Sequence, residues 1–468
     1  MQPTSLAFKD NVHRALDDQV LQRALLFARS GFQQKRADAA ARLPEFEALR
    51  DAAKAIKDHT LAHLDIYLEL FEQRVLEQGG KVHWARDDAE ARAHVLRLCR
   101  AAGARSVTKS KSMIAEEIGL NEALEANGIA RVETDLGEYI VQLAGETPSH
   151  ILAPAIHMTK ERIADLFAEH HGRPRVDAPE ALLAEARRVL RQRYFEAEVG
   201  ITGANFLIAE TGSVVLVTNE GNAELTQGLP KTHIVVTSIE KLVPTLEDAC
   251  VLLRVLARSA TGQDFSAYTT FLTGPKRPTD LDGPTSFHVV LLDNGRSRMV
   301  GSEMQDMLRC IRCGACMNHC PVYLTAGGHA YGWVYPGPMG AVLTPNFIGI
   351  EQAHPLPNAS TFCGRCEEVC PMRIPLPKLM RHWREDQFAK KLNPPTARYG
   401  LKLWAFAARR PALYHLGTRL AIGVLGLLGR RNGRFAALPL AGGWTGTRDL
   451  PAPQGRTFQA RWRAERRG

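Results

Sequence analysis

The sequence lacks several features that would each point to a class of function. No G-x-G-x-x-G opens a helix after a strand, so a Rossmann nucleotide site has no support. No run of 18 uninterrupted apolar residues occurs, so no transmembrane helix is expected; the nearest candidate, 420–429, is short and follows Arg419. No solenoid period is present. Nothing at the N-terminus resembles a signal peptide, so the expectation is a cytoplasmic chain whose thiols stay reduced. No nucleic-acid recognition motif accompanies the basic tail, so no nucleic-acid partner is expected.

Cysteine is also scarce, with nine in 468 residues, yet seven of them fall between positions 310 and 370. Cys310, Cys313, Cys316 and Cys320 are spaced C-x2-C-x2-C-x3-C, with Pro321 following. Cys363, Cys366 and Cys370 are spaced C-x2-C-x3-C, with Pro371 following. The first pattern is the bacterial ferredoxin run, which holds iron–sulfur clusters. A cubane cluster needs thiolates at several corners, and two-residue gaps let a tight loop aim successive sulfurs inward. Gly314 and Gly364 relieve crowding where backbone passes the cluster. Proline closes each run by fixing φ and removing an N–H.

In such runs the last cysteine reaches the other cluster. Cys310, Cys313, Cys316 and Cys370 are therefore assigned to one cluster, and Cys320, Cys363 and Cys366 to a second. The second set is one thiolate short. Aligned from its end, the second run puts Ser360 where its first cysteine would stand. Three readings follow for the second cluster: [3Fe–4S], [4Fe–4S] with Ser360 or another oxygen on the fourth iron, or [4Fe–4S] with an open iron. The spacing does not choose among them. Paired C-x2-C also holds tetrahedral zinc, but seven cysteines in two C-x3-C-P runs fit two exchanging clusters better. Cys99 and Cys250 lie in helical apolar patterns and are expected to be buried packing residues.

Charge is unevenly spread. From Arg373 to the C-terminus there are 20 Lys or Arg and 4 Asp or Glu, a surplus of 16 positive charges. Against a whole-chain net of +9, the preceding residues carry −7. Basicity belongs to the tail.

Residues 1–78 read as helices; Leu61, Leu64, Leu68, Phe71 and Val75 form a helical stripe that Gly79-Gly80 ends. Phe32, Lys35 and Arg36 could touch a partner, although solvated faces explain these helices' charges more simply. From 79 to 298 strands and helices alternate. Strands are expected at 81–85, 106–108, 129–133, 151–155, 234–238 and 287–293, with helices at 88–102, 112–127, 160–168 and 179–199. This is an α/β domain with a largely parallel sheet. Residues 205–209 and 214–218 flank a turn with Gly212 and read as a hairpin. Asn219, Glu220, Gly221 and Asn222 then form a polar loop at a strand end, a position where α/β proteins bind ligands. Residues 299–392 form a small cysteine-bearing domain that ends in a helix at 376–391, and 393–468 form the tail.

Residues 200–222, GITGANFLIAETGSVVLVTNEGN, resemble the lactate-utilization (LUD) domain. Residues 107–117, VTKSKSMIAEE, and 133–138, ETDLGE, resemble it too. Joined to the cysteine runs, residues 10–390 or so are similar to the lactate utilization protein B family. The resemblance implies a fold like that of CoA transferases and sugar-phosphate isomerases. It also implies an iron–sulfur subunit of a three-protein system that oxidises L-lactate to pyruvate. The partners implied are the other subunits and L-lactate or a derived small acid. The family shares the shortened second cysteine run.

Other candidates carry less weight. Lys109 and Lys111 could hold a carboxylate or phosphate, Glu116 and Glu210 could serve acid–base work, and His157 follows an expected strand. For each, an ordinary surface or hydrogen-bonding role is favoured. The residues between the cysteine runs, with Tyr331, Trp333 and Tyr335, are expected to wrap the clusters. Residues 399–431 mix apolar runs with arginines, fitting a membrane surface on the inner face or a partner subunit equally well; 440–468 are expected to be extended or disordered. A rival reading makes the α/β domain a CoA-transferase-like small-molecule enzyme whose clusters are structural or regulatory.

Overall fold

In a computed structural model the chain forms two compact units, Met1–Gln387 and the residues from Phe388 onward. The structure describes residues 2–429, 431–438 and 441–466, apart from the side chains of 27–30.

The first unit opens with helices Phe8–Asp17, Gln19–Ala41, Phe46–Ala62 and Leu64–Glu77. Leu64, Leu68, Phe71 and Val75 recur at gaps of three and four, and all four are buried. Gly79 ends that helix at φ 85°, while the Gly80 N–H is donated to the Val75 carbonyl.

Ten strands follow: β1 Lys81–Ala85, β2 Ser106–Lys109, β3 Ala130–Glu133, β4 Val199–Thr202, β5 Phe206–Ile208, β6 Ser213–Thr218, β7 Thr232–Ser238, β8 Leu242–Val243, β9 Tyr268–Leu272 and β10 Ser286–Leu292. Six of them form one sheet in the order β1-β10-β7-β4-β2-β3, with every pairing parallel. Crossover helices such as Asp88–Ala101 join its strands, so both faces are covered and β7 and β10 are buried over most of their length. A second sheet, β8-β5-β6-β9, contains the expected hairpin as the antiparallel pair β5 and β6. Gly212 turns that hairpin at φ 69°. A Cβ there would also sit 2.6 Å from the Val75 nitrogen, so two constraints demand glycine.

Residues 297–387 pack against this scaffold without a core of their own. Phe71, Leu207 and Leu252 belong to the same apolar interior as Met307, Tyr331, Met372 and Leu379. A helix at Leu376–Ala389 ends the segment.

Four sequence expectations are corrected. Residues 151–155 are a loop, because His150 captures the N–H groups a strand would pair: its Nδ1 accepts from Leu152 at 2.9 Å and Ala153 at 3.2 Å. The helix expected at 112–127 is two, Met113–Glu117 and Leu120–Ala126, parted at Gly119 with φ 63°. Cys99 is buried as expected, but Cys250 is exposed, because helix Leu246–Ala260 turns Ala249, Leu252, Val255 and Leu256 inward instead.

The fourth correction concerns the second unit. It contains helices Pro395–Ala408 and Pro411–Gly429, a short antiparallel pair at Arg434–Phe435 and Leu450–Pro451, and a helix at Phe458–Glu465. Ordered elements therefore extend past residue 440; positions 430, 440, 467 and 468 lie outside the described residues. Pro411–Gly429 is also the one helix among the described residues long and apolar enough to cross a membrane. His415 and Arg419 punctuate its sequence, so it holds no long uninterrupted apolar run.

Candidate iron–sulfur centre

The two cysteine runs fold alike. Arg312, before Cys313, has φ 59°, and Phe362, before Cys363, has φ 55°. Gly314 at φ 75° and Gly364 at φ 80° then start the four-residue helices Ala315–Asn318 and Arg365–Glu368. These helices carry Cys316 and Cys366. At the end of each run the backbone bends back onto its last sulfur. Cys320 accepts N–H bonds from Val322 and Tyr323, and Cys370 accepts them from Met372 and Ile374. Such bonds favour the thiolate and tune the potential of a bound cluster.

The fold brings the seven sulfurs into two neighbouring groups. Cys313 lies within electrostatic reach of Cys370 and Cys310, and Cys316 within reach of Cys310, Cys313, Cys366 and Cys370. Cys366 senses Cys320 and Cys363. Cys310, Cys313, Cys316 and Cys370 line one small cavity, walled otherwise by Met307, Ile311, Met339, Met372, Ile374 and Leu376. Burial first, and then the other thiols, push Cys313 and Cys366 up to about 12; burial pushes Cys370 up to about 11. Arg36 and Arg50 offset part of this. Soft donors crowded into an apolar cage are held as thiolates when metal ions supply the missing positive charge. The donor set therefore fits iron–sulfur ligation.

The second group is more open. Cys320 and Cys366 are buried, but Cys363 is exposed. Ser360, at the position of the missing cysteine, is half-buried, and its hydroxyl accepts the Phe362 N–H at 3.1 Å. Arg384 donates to the Ser360 carbonyl at 3.1 Å and stacks over the Phe362 ring at 4.0 Å.

Buried cations tie the cysteine loops to the scaffold, and little in the local sequence marks them. Arg50 donates to the carbonyls of Cys370 at 2.7 Å and Glu368 at 2.6 Å. Arg36 donates to Val369 O, and Phe32 stacks on His150, so both make internal contacts. The fully buried Arg296 pairs with Glu117 at 2.7 Å and Glu240 at 2.8 Å and lies over the Phe347 ring at 4.6 Å. Tyr335 donates its hydroxyl to Glu117. Lys57, lowered to about 7 by burial, donates to Leu242 O at 2.9 Å. In sequence each of these cations looks like a solvated charge on a helix or loop. Tyr331, Trp333 and Tyr335 are buried against the cysteine loops.

The α/β candidates separate. Lys109 is enclosed by Glu133 at 3.0 Å, Glu116 at 3.6 Å and Glu138 at 3.9 Å, and the three carboxylates together raise its pKa against the cost of burial. Glu210 is exposed and caps helix Leu246–Ala260 through the Leu246 N–H. His157 is held between Glu146 at 2.7 Å and Ser149 at 2.9 Å. Lys111 pairs with Asp135 at 3.1 Å and, with Asn219, Glu220 and Asn222, lines a cavity of about 280 Å³ at the strand ends, which Cys313 also lines. Gly221, at φ 73°, starts the helix Asn222–Gly228 beside the Tyr268 ring.

This scaffold and its sulfurs define an iron–sulfur protein built on an α/β LUD domain. The LUD domain family matches residues 68–292, the 4Fe-4S dicluster domain 306–374, and the family described as lactate utilisation protein B, C-terminal, 388–467. Lactate utilization protein B of Bacillus pumilus is 42% identical over 97% of this chain and 96% of its own. The Bacillus subtilis protein of that name is 41% identical over 98% and 96%. An uncharacterized electron transport protein of Escherichia coli is 41% identical over 97% and 95%. A crystal structure of a DUF162 family protein from Deinococcus radiodurans aligns with 49% of this chain and 98% of its own, at 16% identity and a TM-score of 0.27. The chain belongs to the lactate utilization protein B family.

Proposed function

We propose that the chain is the electron-transfer subunit of a complex that oxidises L-lactate to pyruvate and so supports growth on lactate. The observation that carries this reading is the pair of like-folded cysteine loops with their seven converging sulfurs. Cys310, Cys313, Cys316 and Cys370 hold one cluster; Cys320, Cys363 and Cys366 hold a second, of three-iron type or with a non-cysteine ligand or an open iron. Clusters bound there supply one-electron transfer, whereas lactate oxidation releases electrons in pairs. The chain's own part is to seal the first set in an apolar cage, to donate N–H groups to Cys320 and Cys370, and to leave Cys363 at the surface for exchange with another subunit. The names of the Bacillus and Escherichia coli relatives support both halves of the reading.

The tail fits a cytoplasmic protein that rests on the inner face of the membrane or docks on a partner subunit. Leu403, Trp404, Leu420 and Leu427 are exposed on its two long helices, which Arg409 and Arg410 join. The test is EPR with iron and sulfide analysis on anaerobically purified protein, followed by titration with lactate in the presence of the partner subunits. Two cluster signals that reduce on turnover are expected. A colourless protein, or clusters that never change oxidation state, would overturn the reading; in the second case a CoA-transferase-like role for the α/β domain takes its place.

A further inference from the structure

The cavity at the strand ends holds one buried cation without a hydrogen-bonded partner. Lys241 is 7% exposed, no hydrogen bond or ion pair joins its ammonium to a described residue, and only the longer-range fields of Glu240 and Cys310 answer its charge. It lines the 280 Å³ cavity together with Arg312 and Cys313. The other cations there are answered: Arg312 by Glu240 at 3.4 Å, and Lys111 by Asp135 at 3.1 Å. A buried ammonium without a hydrogen-bonded partner is costly, and the cost is relieved when an anion joins it. We infer that this cavity is a binding site for a small monocarboxylate, anchored on Lys241 beside Cys313. The inference rests on the reading of Cys313 as a cluster ligand.

The chemistry of the walls selects the ligand class. Lys241 lacks a hydrogen-bonded carboxylate, and a ligand with one carboxylate supplies it. Glu220 and Asp135 line the same cavity and oppose a dianion such as inorganic phosphate. The volume lies just below the usual range for ligand clefts, which suits a small organic acid. The polar loop at 219–222 forms part of the wall, which gives it a role as the site's outer edge. Bound carboxylate would place negative charge next to the first group of sulfurs and disfavour reduction there.

Calorimetry on the anaerobic, cluster-loaded chain tests this, with L-lactate, pyruvate, acetate and inorganic phosphate as probes. Saturable binding of the monocarboxylates is expected, with phosphate at least tenfold weaker. Lys241→Met should weaken carboxylate binding at least tenfold, with Lys241→Gln as a second variant should the first fold poorly. Saturating acetate should move the midpoint potential of the first cluster to more negative values. Loaded protein that binds no monocarboxylate overturns the site and leaves the electron-transfer reading standing. A Lys241→Met protein whose potential shifts while carboxylate affinity is unchanged makes Lys241 a counter-charge to the sulfurs, and also overturns it. Clusters that never change oxidation state overturn the electron-transfer reading, and calorimetry still decides the site.

Discussion

The first and second cysteine loops share a backbone and differ in what covers them. Arg312 and Phe362, Gly314 and Gly364, and the two short helices correspond position by position. Yet a Cβ on Gly314 would meet Ile151 and Leu152 at 3.3 Å, whereas a Cβ on Gly364 would meet nothing within 4 Å among the described residues. Cys313 is buried and Cys363 exposed. The loop geometry thus follows from the local Cys-Gly-x-Cys chemistry, while the environment of each sulfur follows from the tertiary fold. The same motif can be an insulated relay point in one place and an exchange point in another.

The largest expected effect comes from removing one sulfur on each side. Cys313→Ser should empty the first set and cut soluble yield, because its sulfur lies in the shared core. Cys363→Ser should remove the second cluster's EPR signal and leave the fold intact. Equal losses of iron and yield in the two variants would mean that the difference in cover has no consequence.

Alanine at the paired glycines sharpens the contrast. Both positions carry the left-handed penalty, so Gly364→Ala should cost about 1–2 kcal/mol. Gly314→Ala adds crowding against Ile151 and Leu152, for about 2–3 kcal/mol. Denaturant titration of the two variants reads the difference. Arg50→Ala should then destabilise the second loop by about 2 kcal/mol, since the carbonyls of Glu368 and Cys370 lose a buried charged donor. Normal stability with unchanged cluster signals would show that Arg50 holds nothing in place.

The smallest effect is a pH slope. His150 holds the cover of the first loop: its Nδ1 accepts two backbone N–H bonds, and its Nε2 bonds to Asn318 at 3.0 Å. Burial lowers its pKa to about 4 from an ordinary 6.5. The unfolded chain therefore takes up this proton first as pH falls. The contribution of neutral His150 is complete above pH 6.5 and is lost between there and pH 4, by about 1.4 kcal/mol per pH unit. His150→Gln should flatten that part of the stability profile; an unchanged slope would remove His150 from the account.

Legibility in the sequence followed the range of the interactions. The cysteine runs were readable because ligand spacing is local. Most parallel strands were readable because burial on both faces leaves continuous apolar runs, as in β7 and β10. Residues 151–155 were misread because an apolar run does not reveal that a neighbouring histidine will take its N–H groups. Cys250 was misread because it sits one residue from the buried Ala249 on a helix whose inward face the apolar pattern did not resolve. Arg50, Arg296, Lys57 and Lys241 are not legible in the sequence for a common reason: a cation's burial depends on segments distant in the chain, and nothing in its immediate neighbours records it.

The common interior of the parallel sheet and the cysteine loops has a consequence for biogenesis. If the cysteines hold iron as proposed, the residues that grip it also complete the packing around Phe71 and Leu252, so maturation of the cofactor and closure of the fold would become one event. A cell starved of iron would accumulate a loosened, protease-sensitive chain instead of an intact apoprotein held in reserve. Abundance of the chain would then track iron supply through its turnover.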